Sequence, residues 1–286
     1  MHNNNLSPIP FYSSTAEQGF RKWYAYGEHP TIRVSRTKLL PFFFFHSGAT
    51  SSPSVSSITF YDECGNSVSV SSTYTNAIKN AISTYVNNGG VTFFFTATSS
   101  NMSLPKGFYY IRVAVSVGGS TSYYYSELFQ VCEDDTNTME CIKVKWYDAE
   151  DVAISGGGVI PYAHQASSTY YYNQMFLLSD VGMPEYSFTE EGEDRDGHFF
   201  PVKQISEKVY KMKFVATEEM CDCLRLSCQS DVVQITDHNS KTYSVEHLEM
   251  NVTWLDGGFF AEVEISFETD TVVKKIGKAY GTINSR

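Results

Sequence analysis

Glu190, Glu191, Glu193, Asp194 and Asp196 crowd into the stretch that closes on Gly197. Carboxylates at that density can ligate calcium or divide acid and base roles between them. Laid on the calcium-loop pattern, Gly197 takes the glycine position and Asp194 and Asp196 two ligand positions. Gly192 then falls where the first carboxylate belongs, and Lys203 where the closing glutamate belongs. The pattern fails, which leaves a solvated acidic turn on one side and a turn holding a cation or facing a basic partner on the other. A hydrolase on a β scaffold would take its acid and base from Glu185, Glu190 or Asp196, and needs two of them facing one cleft. Cys221, Cys223 and Cys228 lie close together, but a structural zinc site wants four ligands in paired spacings that are absent here, so they read as core thiols. The seven histidines (His2, His29, His46, His164, His198, His238 and His247) form no His-Glu-x-x-His pair, and no serine sits in a nucleophile elbow. Gly156, Gly157 and Gly158 lack the lysine and the following helix of a phosphate-binding loop. No catalytic residue, metal ligand or cofactor is nominated, and the chain reads as non-enzymatic.

The other distinctive chemistry is aromatic. Phe42–Phe45, Phe93–Phe95, Tyr123–Tyr125 and Tyr170–Tyr172 are consecutive runs, and a strand sends neighbours to opposite faces, so both faces must be covered. Either the chain itself covers them, or an outer face packs on another subunit or stacks on sugars. The tyrosines Tyr123, Tyr125, Tyr170, Tyr171 and Tyr172 are therefore interface candidates. So are Phe11, Tyr12, Phe20, Trp23, Tyr24 and Tyr26 in the first thirty residues, a segment with no sustained period that reads as an extended arm. That arm folds back on its own domain or docks on a neighbouring chain.

A net charge of −11 on 286 residues argues against a grip on nucleic-acid phosphates or anionic lipid, since both need a basic face. No run of eighteen apolar residues occurs, and the start has no basic segment leading into an apolar one, so the expectation is a chain made in the cytosol and not anchored. The six cysteines then read as reduced thiols, with a Cys132–Cys141 bridge the alternative.

Short β segments carry the rest. The first set spans 31–34, 38–45, 55–61, 67–71, 91–97, 108–117 and 122–131, punctuated by turn residues such as Gly65-Asn66, Gly89-Gly90 and Gly118-Gly119. Seven strands in about a hundred residues predict an immunoglobulin-like sandwich over 31–132. Alternation in Tyr109, Ile111, Val113 and Val115 turns one side of that strand to the core. Helical spacing of Ala77, Ile78, Ala81, Ile82 and Tyr85 predicts a helix over 74–85, part of which a strand could claim. The polar segment 132–138 marks a boundary. Beyond it a second β-rich domain, 133–286, is expected, with strands at 141–146, 174–178, 185–191, 198–207, 209–215, 232–235, 242–245, 249–254, 259–268 and 271–275. A short helix over 217–228 is capped by Thr217, and a hairpin turns at Asp256-Gly257-Gly258. The fold class is all-β, with two sandwich-like domains and one or two short helices.

Two stretches carry a family resemblance. Leu104-Pro105-Lys106-Gly107-Phe108-Tyr109-Tyr110-Ile111, followed by Tyr124-Tyr125-Ser126-Glu127-Leu128-Phe129-Gln130-Val131, is similar to an immunoglobulin-like module of virion and prophage proteins of tailed phages infecting Bacteroidetes. The C-terminal half resembles a companion domain of such proteins in Glu190–Gly197 with Pro201, Cys221-Asp222-Cys223-Leu224-Arg225-Leu226, Asp231–Asp237, Val252-Thr253-Trp254, Ala261–Phe267 and Asp270–Gly277. The resemblance implies a neck or tail ring subunit of a crAss-like or related short-tailed phage, present in several copies. Its partners would be copies of itself and neck, portal or tail proteins, and its place the virion after synthesis in the host cytoplasm. It supplies no catalytic residues. The alternative function is a carbohydrate- or receptor-binding module, for which the aromatics would lie open in a groove and not beneath sister subunits.

Overall fold

The computed structural model describes residues 7–13, 32–35, 39–48, 51–87, 89–95, 104–132, 141–147, 172–195, 197–255, 260–269 and 273–276. In the first part the strands are β1 (Phe11–Tyr12), β2 (Ile32–Ser35), β3 (Phe42–Ser47), β4 (Ser54–Asp62) and β5 (Ser67–Val68). A helix α1 (Ser72–Ala81) precedes β6 (Ile82–Asn87), β7 (Gly90–Phe95), β8 (Gly107–Val117), β9 (Ser120–Ser126) and β10 (Phe129–Cys132). Two antiparallel layers result. One is β3-β7-β6; in the other β8 pairs with β4 along one edge and with β9 and then β10, and β4 carries β5 outward. The last strand, β10, takes β2 as a parallel neighbour while β1 pairs antiparallel with β9. This is a β-sandwich-like layering.

The phenylalanine runs explain why the layers stay together. Phe42 lies opposite Phe95, and Phe44 opposite Phe93, in the β3–β7 register, with ring centroids 5.0 and 5.3 Å apart. Phe11 reaches in at 4.8 Å from Phe42 and 5.0 Å from Phe44, and Tyr124 of the facing layer stacks on Phe44 at 4.7 Å. The opposite side of the same strands is also covered: Phe43 and Phe94 are only 3% and 7% exposed. Both faces of these runs are thus buried by the chain itself. Phe11, an interface candidate from sequence, is likewise fully buried with Ile9, and Ser7 Oγ accepts from the Phe43 backbone N–H at 3.0 Å. The described part of the first thirty residues is core and a strand, not an arm. Apolar side chains of this size gain about 1.5–3 kcal/mol each on burial, and that gain drew the segment in.

Helix α1 ends four residues before the predicted limit. Tyr74 and Ile78, four apart, make its buried face, but from Ile82 the β-branched Ile82, Thr84 and Val86 pair along β7. The predicted strand over 122–131 is broken in two: the Ser126 hydroxyl takes the Ile111 N–H at 2.9 Å and donates to the Glu127 carbonyl, where a ladder bond would otherwise continue.

Inside the sandwich His46 Nδ1 lies 2.9 Å from the Tyr124 hydroxyl. Burial pushes the Tyr124 hydroxyl up to about 12 and lowers the His46 imidazole below its usual value. An unfolded tyrosine loses its proton near pH 10, so the folded state holds one more proton between that pH and about 12. Stability from Tyr124 is complete below about pH 10 and falls as pH rises through the folded value. Urea midpoints should therefore drop above about pH 10, and less steeply in Tyr124→Phe.

The second part begins with β11 (Ile142–Tyr147), β12 (Asn173–Leu177), β13 (Glu185–Arg195) and β14 (His198–Thr217). Helix α2 (Glu218–Leu224) runs into a 3-10 helix (Arg225–Gln229), and β15 (Val232–Thr236), β16 (Thr242–Trp254), β17 (Phe260–Thr269) and β18 (Val273–Ile276) follow. Thr217 caps α2, its hydroxyl accepting from the Met220 N–H at 3.4 Å, as the sequence predicts. The order is β12-β11-β15-β16-β17-β14-β13, with β18 beside β14. The first residues of β16 pair with β15 and, past a bulge between Val245 and His247, the rest pair with β17, so one strand serves two parts of the sheet. Trp146, Met175, Ile235, Met212, Ile265 and Phe267 fill the interior with Met220 and Leu224 of α2. β18 does not fold back on β17. It follows it along β14, at Lys203–Ser206, and the predicted pair of strands at 198–207 and 209–215 is the single strand β14.

Candidate interaction surface

The alternation that turns Tyr109, Ile111, Val113 and Val115 inward turns Phe108, Tyr110 and Arg112 to the outer face of the first sandwich. Cross-strand register sets their neighbours. Tyr61 lies opposite Tyr110, and Arg112 sits between Thr59 of β4 and Tyr125 of β9; Tyr123 is opposite Ala114, and Tyr12 of β1 opposite Tyr125. The Tyr61 and Tyr110 rings stack at 5.1 Å and 11°. The Arg112 guanidinium carbon lies 5.3 Å from the Tyr61 centroid and 5.2 Å from the Tyr123 centroid, held between two ring faces. Its Nη2 donates to Thr59 Oγ1 at 3.4 Å, while Nε is buried with no hydrogen-bond partner among the described residues. Tyr110 and Leu128 form a small apolar cluster with Tyr61, Phe108 and Tyr125 around them. Tyr123 is 47% exposed, although it is a large ring in a sheet.

Three sequence-predicted candidates, Tyr12, Tyr123 and Tyr125, thus meet on one face. Tyr172 lies elsewhere, half-buried, with the Lys145 ammonium 4.3 Å above its ring and burial raising its hydroxyl pKa. Phe20, Trp23, Tyr24, Tyr26, Tyr170 and Tyr171 lie outside the described residues. Arg112, Tyr61, Phe108 and Tyr110 were not among the sequence candidates, yet the outward half of the β8 alternation marks three of them.

The acidic run takes a different form from the predicted turn. Glu190, Glu191, Glu193 and Asp194 belong to β13, so they alternate between the two faces of a β13–β14 ribbon and do not converge. Glu190 accepts from Gln204 Nε2, and Glu191 pairs with Lys203 at 3.6 Å. Glu185 is held by Lys211 at 2.8 Å and stands on the opposite ribbon face from Glu190, so those two carboxylates share no cleft. Asp196 lies outside the described residues.

Cys221 and Cys223 are buried in α2 and Cys228 is exposed. Burial pushes the Cys221 thiol up to about 11 and Cys223 well above the usual thiol range, which opposes the thiolate that zinc or nucleophilic chemistry requires. Cys141 is a buried reduced thiol whose Sγ accepts from Arg33 Nη1 at 3.8 Å, which removes the Cys132–Cys141 bridge. A thiol-specific chromophoric reagent near neutral pH should modify Cys64 rapidly and leave Cys221 and Cys223 unmodified until the protein unfolds. Fast labelling of all of them in the native state would contradict their placement in the core.

Among the described residues no group of three or more His, Cys, Asp or Glu is placed to hold a metal ion, and no helix is long and apolar enough to cross a membrane. No protein-family model matches the chain, and no curated protein matches it in sequence.

Proposed function

We propose that this chain is a non-enzymatic structural subunit that works by protein–protein contact, as a multi-copy neck or tail ring or adaptor protein of a tailed-phage virion. The observation that carries the contact role is the tyrosine–arginine face. Tyrosine and arginine are the residues that dominate contact energies at interfaces, because they bury large area with few rotors and still satisfy polar tips. Here Tyr123, Tyr61 and Arg112 are held by cross-strand register, Tyr61 stacked on a Tyr110 that is itself only 4% exposed, so little side-chain entropy remains to be lost on docking. Head-to-tail contacts between identical sandwiches close into a ring when the rotation between neighbours closes, and such a contact needs only one face to meet a different face of the next copy. The phage assignment rests on the sequence resemblance, and the β-sandwich-like fold is compatible with it.

A second reading has its own support. An exposed tyrosine beside a guanidinium is also a platform for a sugar ring, so Tyr123 suits a carbohydrate- or receptor-binding module. Light scattering on the full-length chain, paired with glycan-array binding, separates the two. Self-assembly or co-assembly with neck, portal or tail proteins supports the structural role. A monomer that ignores those proteins and binds glycans replaces it with the second reading.

A further inference from the structure

The ribbon formed by β13 and β14 raises a separate question. Tyr186 and Phe188 lie opposite Lys208 and Ser206 in register, on the side of β14 that further along carries the buried Tyr210, Met212 and Phe214. The core-facing side of the sheet therefore continues outward along the ribbon, but there it is uncovered: Tyr186 is 69% and Phe188 64% exposed. β13 is also the last strand of its sheet, and no described strand lies on its outer side. An eleven-residue edge with apolar rings on one face is a template for another strand, which proteins ordinarily blunt.

The charges select the occupant. Glu190, Glu191, Glu193 and Asp194, all exposed, fill the distal half of that edge. Parallel pairing of β13 with β13 of a second copy would set each of these carboxylates against its own like, and full antiparallel pairing would set Glu190 against Glu190 and leave Glu191, Glu193 and Asp194 opposite Thr189, Ser187 and Tyr186, which supply no cation. A strand with lysine or arginine on the face opposite Tyr186 and Phe188 gains from Glu191 and Glu193 there. We propose that the outer edge of β13 is a strand-addition site for an extended segment of a partner protein that alternates apolar and basic residues. The segment's backbone completes the ladder, its apolar side chains cover Tyr186 and Phe188, and its cations meet Glu191 and Glu193 on the opposite face.

This surface is independent of the tyrosine–arginine face, so the two stand or fall separately. The test uses the full-length protein and a labelled synthetic peptide alternating valine and lysine, read by fluorescence anisotropy. Its controls are a valine–glutamate peptide and a valine–lysine peptide N-methylated at alternate backbone amides. The valine–lysine peptide is expected to bind, with affinity falling as salt rises. Phe188→Ser, and separately the double variant Glu191→Lys/Glu193→Lys, should each weaken it about tenfold or more, with circular dichroism unchanged. N-methylation should abolish binding, and Tyr123→Asp should leave it intact. Absence of binding by the valine–lysine peptide, equal binding of the valine–glutamate or N-methylated peptide, or a change in the chain's own oligomeric mass on Phe188→Ser would each overturn the proposal.

Discussion

Phe44→Ala will lower the stability of the first sandwich by about 3–5 kcal/mol. The Phe44 ring is fully buried and touches Phe11 at 5.0 Å, Phe93 at 5.3 Å and Tyr124 at 4.7 Å between centroids, so its removal deprives three rings of a common neighbour. Strand β3 is hydrogen-bonded to β7 along Phe42–Ser47, and β6 braces β7 on its other side, so the surrounding backbone is held in register and the cavity cannot close by collapse. Chemical denaturation followed by near-ultraviolet circular dichroism measures the loss. The control is Phe188→Ala, the same chemical change on an exposed ring, which should alter stability by no more than about 0.5 kcal/mol. Equal effects at the two sites would mean that the phenylalanine runs do not form the core described.

Tyr123→Asp will disrupt assembly while leaving the fold intact, reducing self-association or partner affinity by about thirtyfold or more, the loss of one hot-spot residue. Tyr123 is half-exposed and lies opposite Ala114, so a carboxylate there creates no clash within the sheet. It does remove one of the two rings that hold the Arg112 guanidinium. It also lets the new carboxylate pair with that guanidinium, which turns the central cation away from a partner. Tyr123→Phe, which keeps the ring, should retain most of the association. If the aspartate variant assembles like the parent, this face is not the contact surface.

Much of this architecture is legible in the sequence, for reasons that differ by element. Strands such as β11 and β17 declare themselves because one face is buried and the other is not, so apolar residues recur every second position. Thr217 with Glu218 and Glu219 marks the start of α2 because the capping chemistry is local. Local patterns fail where pairing over long sequence distances decides. The spacing of Ala77, Ile78, Ala81 and Ile82 fits a helix, yet Ile82 onward is strand because β7 offers it a ladder. β14 reads as two strands because Glu207 and Lys208 interrupt its apolar pattern. The interruption falls where the strand leaves the core and enters the ribbon. The first thirty residues lack a period, so the anchoring of Ile9 and Phe11 in the core depends on a β1–β9 pairing that no neighbouring residue encodes. A deletion through residue 30 consequently removes part of the core.

The interaction face shows the same division. Tyr12, Tyr123 and Tyr125 are conspicuous in the sequence as aromatics in runs or pairs. Arg112 is one cation in an apolar strand, and its place between Tyr61 and Tyr123 follows only from the registers of β4 and β9 on β8. The acidic run is conspicuous too, but its chemistry depends on conformation. In a turn the carboxylates could converge; in β13 they face alternate sides, and the run becomes a charged sheet edge.

The most direct test of a structural, contact-making role is the solution mass of the full-length chain, alone and mixed with candidate neck, portal or tail proteins, compared with Tyr123→Asp. A closed multimer or a stoichiometric co-assembly that the aspartate variant loses is the predicted result. A parent chain that stays monomeric with every such partner and instead binds glycans through Tyr123 would contradict it.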